Sequence, residues 1–145
     1  MSIHHEHAVD VRCSPDKAFA FLDDFSATPK WLERCTHIET LSAGAHAAGT
    51  KLRYGYREAG RTGTMDGEVS AYTPNERLAM RYSDAMMDVA VEFRIAVAGS
   101  GARVTQIIDI TPKSLVVKLA SPLIRRQLPP QTATALQKLK VLLES

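Results

Sequence analysis

Three histidines within four residues, His4, His5 and His7, are the first chemistry this sequence offers. Imidazole is both a common metal ligand and a proton carrier near neutral pH. Strand alternation would put His5 and His7 on one face about 7 Å apart, too far to converge on one ion unless another strand supplies a third ligand. A metal is therefore not expected, and neither is any other cofactor. His7 shares an inward face with Val9 and Val11 and is expected beside Gln106 of the last strand. It reads either as a buried imidazole satisfied by a neighbour or as a polar handle or general acid/base in a pocket. Tyr54, Tyr56 and Tyr82 project inward by parity. Each joins a large apolar body to a hydroxyl, which suits core packing with the hydroxyl at the rim or the orientation of a ligand carbonyl. His7, Tyr54 and Tyr56 are thus the catalytic candidates. Met65, Met80, Met86 and Met87 supply polarizable surface for adaptable ligands, or fill gaps. No GxSxG elbow, HExxH pair, phosphate-binding glycine loop or dinucleotide fingerprint occurs. Asp66 and Glu68 fall on a charged outer face, opposite Arg53 and Arg57 in the expected register.

The elements that must position these residues are legible from alternation and capping. Residues Ile3 to Cys13 alternate as a strand, then Ser14 and Pro15 start a short helix carrying Phe19 and Leu22. Thr28-Pro29 restarts the chain into a second short helix holding Trp31 and Leu32. Between Thr36 and Thr111 the pattern becomes short alternating runs separated by turn residues, expected as strands at about His37–Ser42, Thr50–Glu58, Thr62–Tyr72, Arg77–Ser83, Met87–Val97 and Arg103–Thr111. One face of these runs is apolar and the other charged, so the dry face must pack on something else. The partner is the last segment, Ser114 to Leu143, with Leu115, Leu119, Leu123 or Ile124, then Leu136, Leu139 and Leu143 at helical spacing. Pro122 and Pro129-Pro130 interrupt it, and a bend or break is expected at Gln127 to Pro130.

Composition sets the bounds. The 145 residues, 45% hydrophobic and 23% charged with net charge +2, suit a single soluble domain over residues 1–145 and exclude extensive disorder. Met1 to His7 is polar, unlike a signal peptide, so a cytoplasmic location is the default. Cys13 and Cys35 match no zinc or CxxC spacing and read as free thiols. Charge is uneven: from Lys113 onward Lys113, Lys118, Arg125, Arg126, Lys138 and Lys140 face only Glu144. Such a segment is either a solvated helix face or a dock for an anionic membrane or acidic protein. Nucleic acid is not expected, because the segment lacks aromatic residues to stack on bases.

The element order resembles the helix-grip fold of the START and birch-pollen-allergen superfamily (SRPBCC), and is most similar to its bacterial polyketide cyclase/dehydrase-like branch. The matching residues are Val9-Asp-Val11-Arg-Cys-Ser14-Pro15-Asp16-Lys-Ala-Phe19-Ala-Phe-Leu22, Pro29-Lys-Trp31-Leu and Leu136-Gln-Lys-Leu139-Lys140. The resemblance spans the whole chain, and none of its motifs is catalytic. It implies an α+β fold in which a curved antiparallel sheet of six to seven strands wraps a long C-terminal helix, with two short helices between strands 1 and 2. It also implies an apolar cavity between sheet and helix. Gly63 and Gly67 share the inner face with Met65 and Val69, which independently suggests unfilled volume. The expected lining is Trp31, Tyr54, Tyr56, Met65, Met80, Tyr82, Met87, Val91, Phe93, Gln106, Leu119 and Leu123, with Trp31 packing under the helix pair.

Three functions fit these features. The first is binding or transport of a hydrophobic small molecule, lipid or polyketide-like, without catalysis. The second, allowed by the resemblance, is a polyketide cyclase, aromatase or dehydratase whose His7 or pocket tyrosines move protons while the cavity folds the substrate. The third is an interaction module using the basic C-terminal helix.

Overall fold

The computed structural model describes residues 2–58 and 60–145. Strand β1 (Ile3–Val11) points Ile3, His5, His7, Val9 and Val11 inward, and Ser14 then caps helix α1 (Pro15–Asp23) by accepting from the Lys17 amide at 3.4 Å. Pro15 in the first turn forgoes an N–H that would have had no intrahelical partner. Helix α1 buries Ala18, Phe19 and Leu22, and the single turn of α2 (Thr28–Trp31) buries Trp31. There follow β2 (Cys35–Thr40), β3 (Lys51–Glu58), β4 (Arg61–Thr73), β5 (Arg77–Ser83), β6 (Met87–Ala98), β7 (Gly101–Pro112) and the long helix α3 (Leu115–Glu144).

All seven strands form one antiparallel sheet in the order β1-β7-β6-β5-β4-β3-β2, so the first strand returns to lie beside the last. This is the helix-grip architecture anticipated from the sequence, with both short helices between β1 and β2. Gly99 at the β6–β7 turn has a positive φ of 59°, a conformation that costs a glycine little. A bulge in β4 between Val69 and Ala71 resets the strand's parity, which brings Tyr72 as well as Val69 to the inner face. There Tyr72 meets Phe19 of α1 edge to face, with ring centroids 5.3 Å apart.

Helix α3 lies along β1 and also touches β7, α1 and α2. It is helical throughout, so the break expected at Gln127 to Pro130 does not occur. Pro122, Pro129 and Pro130 all sit on the exposed side, where carbonyls that lose an intrahelical donor can bind water, while buried Leu128 and Thr132 anchor the helix around the doubled proline. The continuous helix has a further consequence. Its buried row is Val117, Ser121, Leu128, Thr132, Ala135, Leu136, Leu139 and Leu143, so Leu119 and Leu123, expected to line the cavity, face away from the sheet with Leu115.

The core divides in two. The main cluster joins α1, α2 and the second half of α3 to the sheet. A smaller one gathers Ile3, Ile108, Ile110 and Leu128 beneath the first half of α3. On the outer face Arg53 stands opposite Asp66 as expected, but Glu68 stands between Lys51 and Arg81, and Arg57 faces Thr62.

Candidate functional site

The inner face of the sheet carries a polar belt. His5 and His7 project from β1, and Gln106 of β7 faces His7 on one side and Phe93 of β6 on the other. The two imidazoles lie nearly parallel, with centroids 6.2 Å apart. His4 alternates to the outer face and bonds Asp109 at 2.6 Å, so the histidine trio is split between two faces. Among the described residues, no group of three His, Cys, Asp or Glu is placed to hold a metal ion.

Four buried polar atoms have no hydrogen-bond partner among the described residues: His5 Nε2, Gln106 Oε1, Tyr82 Oη and Trp31 Nε1. A buried donor or acceptor left unpaired costs about 1–3 kcal/mol, and most proteins keep such atoms few. Three of the four stand on the inner face of the sheet, and Trp31 packs onto Phe93 of that face edge to face at 5.8 Å. Next to this belt, Val89 and Val91 on the central strand β6 stay only half-buried although strands flank them on both sides. Helix α3 runs closest to β1, and Met87 and Val89 of β6 also pack against the cluster that Leu128 of α3 helps to form.

The other sequence candidates divide by depth. Met65, Met80, Tyr82, Phe93, Gln106 and Trp31 are buried, whereas Tyr54, Tyr56, Met87 and Val91 are half-buried on the same face. Tyr54 and Tyr82 pack ring to ring at 4.7 Å. Burial pushes both phenols well above the ordinary tyrosine range, and it pushes the Cys35 thiol, which the Tyr54 hydroxyl reaches, up to about 11. These groups are neutral at physiological pH, so they can donate and accept hydrogen bonds but are not nucleophiles.

One expectation fails on geometry. Gly63 and Gly67 leave no empty space, because the ring of Tyr56 covers Gly63 and that of Tyr82 covers Gly67 across the strand pairs. His7 and the tyrosines of β3 stand on strands with four others between them in the curved sheet.

Two concavities flank this face. A cleft of about 160 Å³ opens between the start of β1 and α3, lined by Ile3, His4, His5, Arg125, Leu128 and Pro129. A larger groove of about 450 Å³ lies on the outer face among Lys51, Asp66, Glu68, Arg81 and Asp88. The outer groove is open and rimmed by charge, with Lys51 paired to Glu68 at 3.4 Å, over a floor that includes Gly67, Val89 and Ala90. The smaller cleft joins the apolar side chains of Ile3 and Leu128 to the inward His5 imidazole.

One polar cluster escaped the sequence reading. Asp23 at the end of α1 accepts from the Tyr72 hydroxyl at 2.7 Å and bonds His46 Nδ1 at 2.7 Å, with His46 stacked on Phe25 at 4.8 Å. It fastens the β2–β3 loop to α1. Burial, together with the Asp23 carboxylate that accepts its hydrogen bond, raises the Tyr72 phenol to about 12. Only the bulge in β4, which turns Tyr72 inward, would have signalled it.

The model of the family described as polyketide cyclase/dehydrase and lipid transport matches residues 2–144. No curated protein matches the chain. Among solved structures, the chain is similar to the Zhui aromatase/cyclase from Streptomyces sp. R1128, with 14% identity and a TM-score of 0.82 over 99% of this chain and 94% of that one. It is also similar to a START superfamily protein from Mycobacterium smegmatis, with 15% identity and a TM-score of 0.78 over 97% and 96% of the two chains. The di-domain ARO/CYC StfQ from the steffimycin biosynthetic pathway matches at 12% identity and a TM-score of 0.78, over 97% of this chain and 50% of that one. Identities this low speak to the fold alone, whereas the family model spans almost every residue. The chain belongs to the polyketide cyclase/dehydrase and lipid transport family.

Proposed function

We propose that this protein binds an elongated, mainly apolar small molecule with a few hydrogen-bonding groups, held between the inner face of the sheet and α3, and that it carries the molecule without transforming it. The observation that supports this reading is the set of unpartnered polar atoms on and beside the inner face, His5 Nε2, Gln106 Oε1, Tyr82 Oη and Trp31 Nε1. A ligand that met them would offset a cost the protein otherwise bears alone. The apolar surface between them, from Val89, Val91 and Met87, would supply most of the affinity.

A cyclase-type enzyme is the second reading, and inward His7 favours it. Yet the neighbour of His7 across the strands is Gln106, which does not titrate, and four strands stand between His7 and the tyrosines of β3. Carriage is therefore the better reading.

Native mass spectrometry of protein purified from its own host, followed by organic extraction, tests the proposal. A bound apolar molecule at one per chain is the expected outcome. Anilinonaphthalene sulfonate should bind saturably, and Tyr82→Phe should weaken that binding while leaving stability unchanged or higher, because the substitution removes a buried hydroxyl that has no partner. Protein that carries nothing and binds the dye without saturation would overturn it.

A further inference from the structure

The first half of α3 exposes a second apolar stripe. Leu115, Val116, Leu119 and Leu123 are 70%, 68%, 74% and 53% exposed, on the face opposite the buried Val117, Ser121 and Leu128. Met86 adjoins the stripe: its carbonyl accepts from the Lys113 and Ser114 amides at the start of the helix, and its side chain is exposed. Isolated exposed leucines are ordinary, but a contiguous patch on one element marks a binding surface.

Charge identifies the occupant. From Lys113 to Leu143 the chain contains no carboxylate. Lys113 pairs with Asp88, Lys138 with Glu33 and Lys140 with Glu144. Lys118, Arg125 and Arg126, the cations beside the stripe, form no ion pair among the described residues. An apolar stripe bordered by unpaired cations fits an anionic lipid surface, where leucines enter the acyl boundary and the cations meet the headgroups. A second copy docking on the same stripe would bring these three cations against their own equivalents. Among the described residues, no helix is long and apolar enough to cross a membrane, so the helix would lie in the interface.

We propose that the outward face of α3, from Leu115 to Arg126, docks this protein on anionic membranes. Arg125 also lines the cleft that holds His5, so docking would bring that cleft toward the lipid. The inference uses residues outside the ligand belt and stands independently of it.

Cosedimentation with phosphatidylcholine vesicles, with and without phosphatidylglycerol, tests it. Binding should require phosphatidylglycerol and fall with added salt. Arg125→Gln and Arg126→Gln should each weaken it about fivefold. Leu119→Ser should weaken it about tenfold, with an unchanged circular dichroism spectrum because the side chain is exposed. Absence of binding to both vesicle types would overturn the proposal, as would a dimer in sedimentation velocity that Leu119→Ser abolishes. Either result would leave dye binding at the inner face intact, so failure of docking and failure of carriage are distinguishable.

Discussion

Gly67 and Tyr82 face each other across β4 and β5, and the tyrosine ring occupies the volume that a side chain at residue 67 would need. A methyl group there would also come within 2.7 Å of the Arg81 carbonyl, which cannot move aside without distorting the ladder. Gly67→Ala should therefore destabilise the fold by about 1–3 kcal/mol, the usual cost of overpacking, read as a lower urea midpoint. An alanine variant as stable as the parent would show that the ring is free to leave. Parity alone places Gly63 and Gly67 on the inner face, and that placement is correct. That the glycines are covered by rings depends on register, since Tyr56 opposes Gly63 only once β3 and β4 are aligned. The same limit applies to the belt: the alternation of β1 turns His5 and His7 inward, but no local pattern announces which buried atoms lack a partner.

Among the elements, α3 shows how one local expectation changes a whole set of residues. Leu136, Leu139 and Leu143, carried backward in steps of three and four through an unbroken helix, reach Thr132, Leu128, Ser121 and Val117, the row that is buried. A break at the prolines would uncouple the two halves and let Leu119 and Leu123 turn inward. Proline chemistry argues for that break, and burial of Leu128 and Thr132 overrides it. The strands, by contrast, are legible to within two residues at either end, because each alternation is reinforced by its neighbours. If the helix continues through Pro130 at a cost, Pro130→Ala should raise stability. Restoring an N–H to face the Arg126 carbonyl recovers about 3 kcal/mol, and the more flexible unfolded chain takes back about 1, for a gain of roughly 2 kcal/mol. No gain in the urea midpoint would mean that the helix does not carry this strain.

At the scale of the molecule, the grip is closed by carboxylates. Glu33 after α2 pairs with Lys138 of α3. At the end of α3, Glu144 accepts from the Arg12 amide at 2.9 Å and from Lys140 at 2.7 Å, and Lys140 also donates to the Asp10 carbonyl of β1 at 2.7 Å. Lys138 holds the Glu33 carboxyl below its ordinary range, and Lys140, followed by the Arg12 amide, holds Glu144 down to about 2. Because both folded values lie below the unfolded value of 4.5, the unfolded chain takes up protons first. Their contribution to stability is complete above that value and declines as pH falls toward 2. The urea midpoint should therefore drop through this window as the ties between α3, α2 and β1 protonate. Glu144→Gln should lower the midpoint at neutral pH, where the charge is fully present, and the gap should close as pH falls through about 2, where the parent carboxyl itself takes up its proton. A gap of constant size across the titration would mean that Glu144 acts through packing and not through its charge. Since these ties position α3, and with it both the cleft at His5 and the outward stripe, the same acid window should loosen the two proposed functions together.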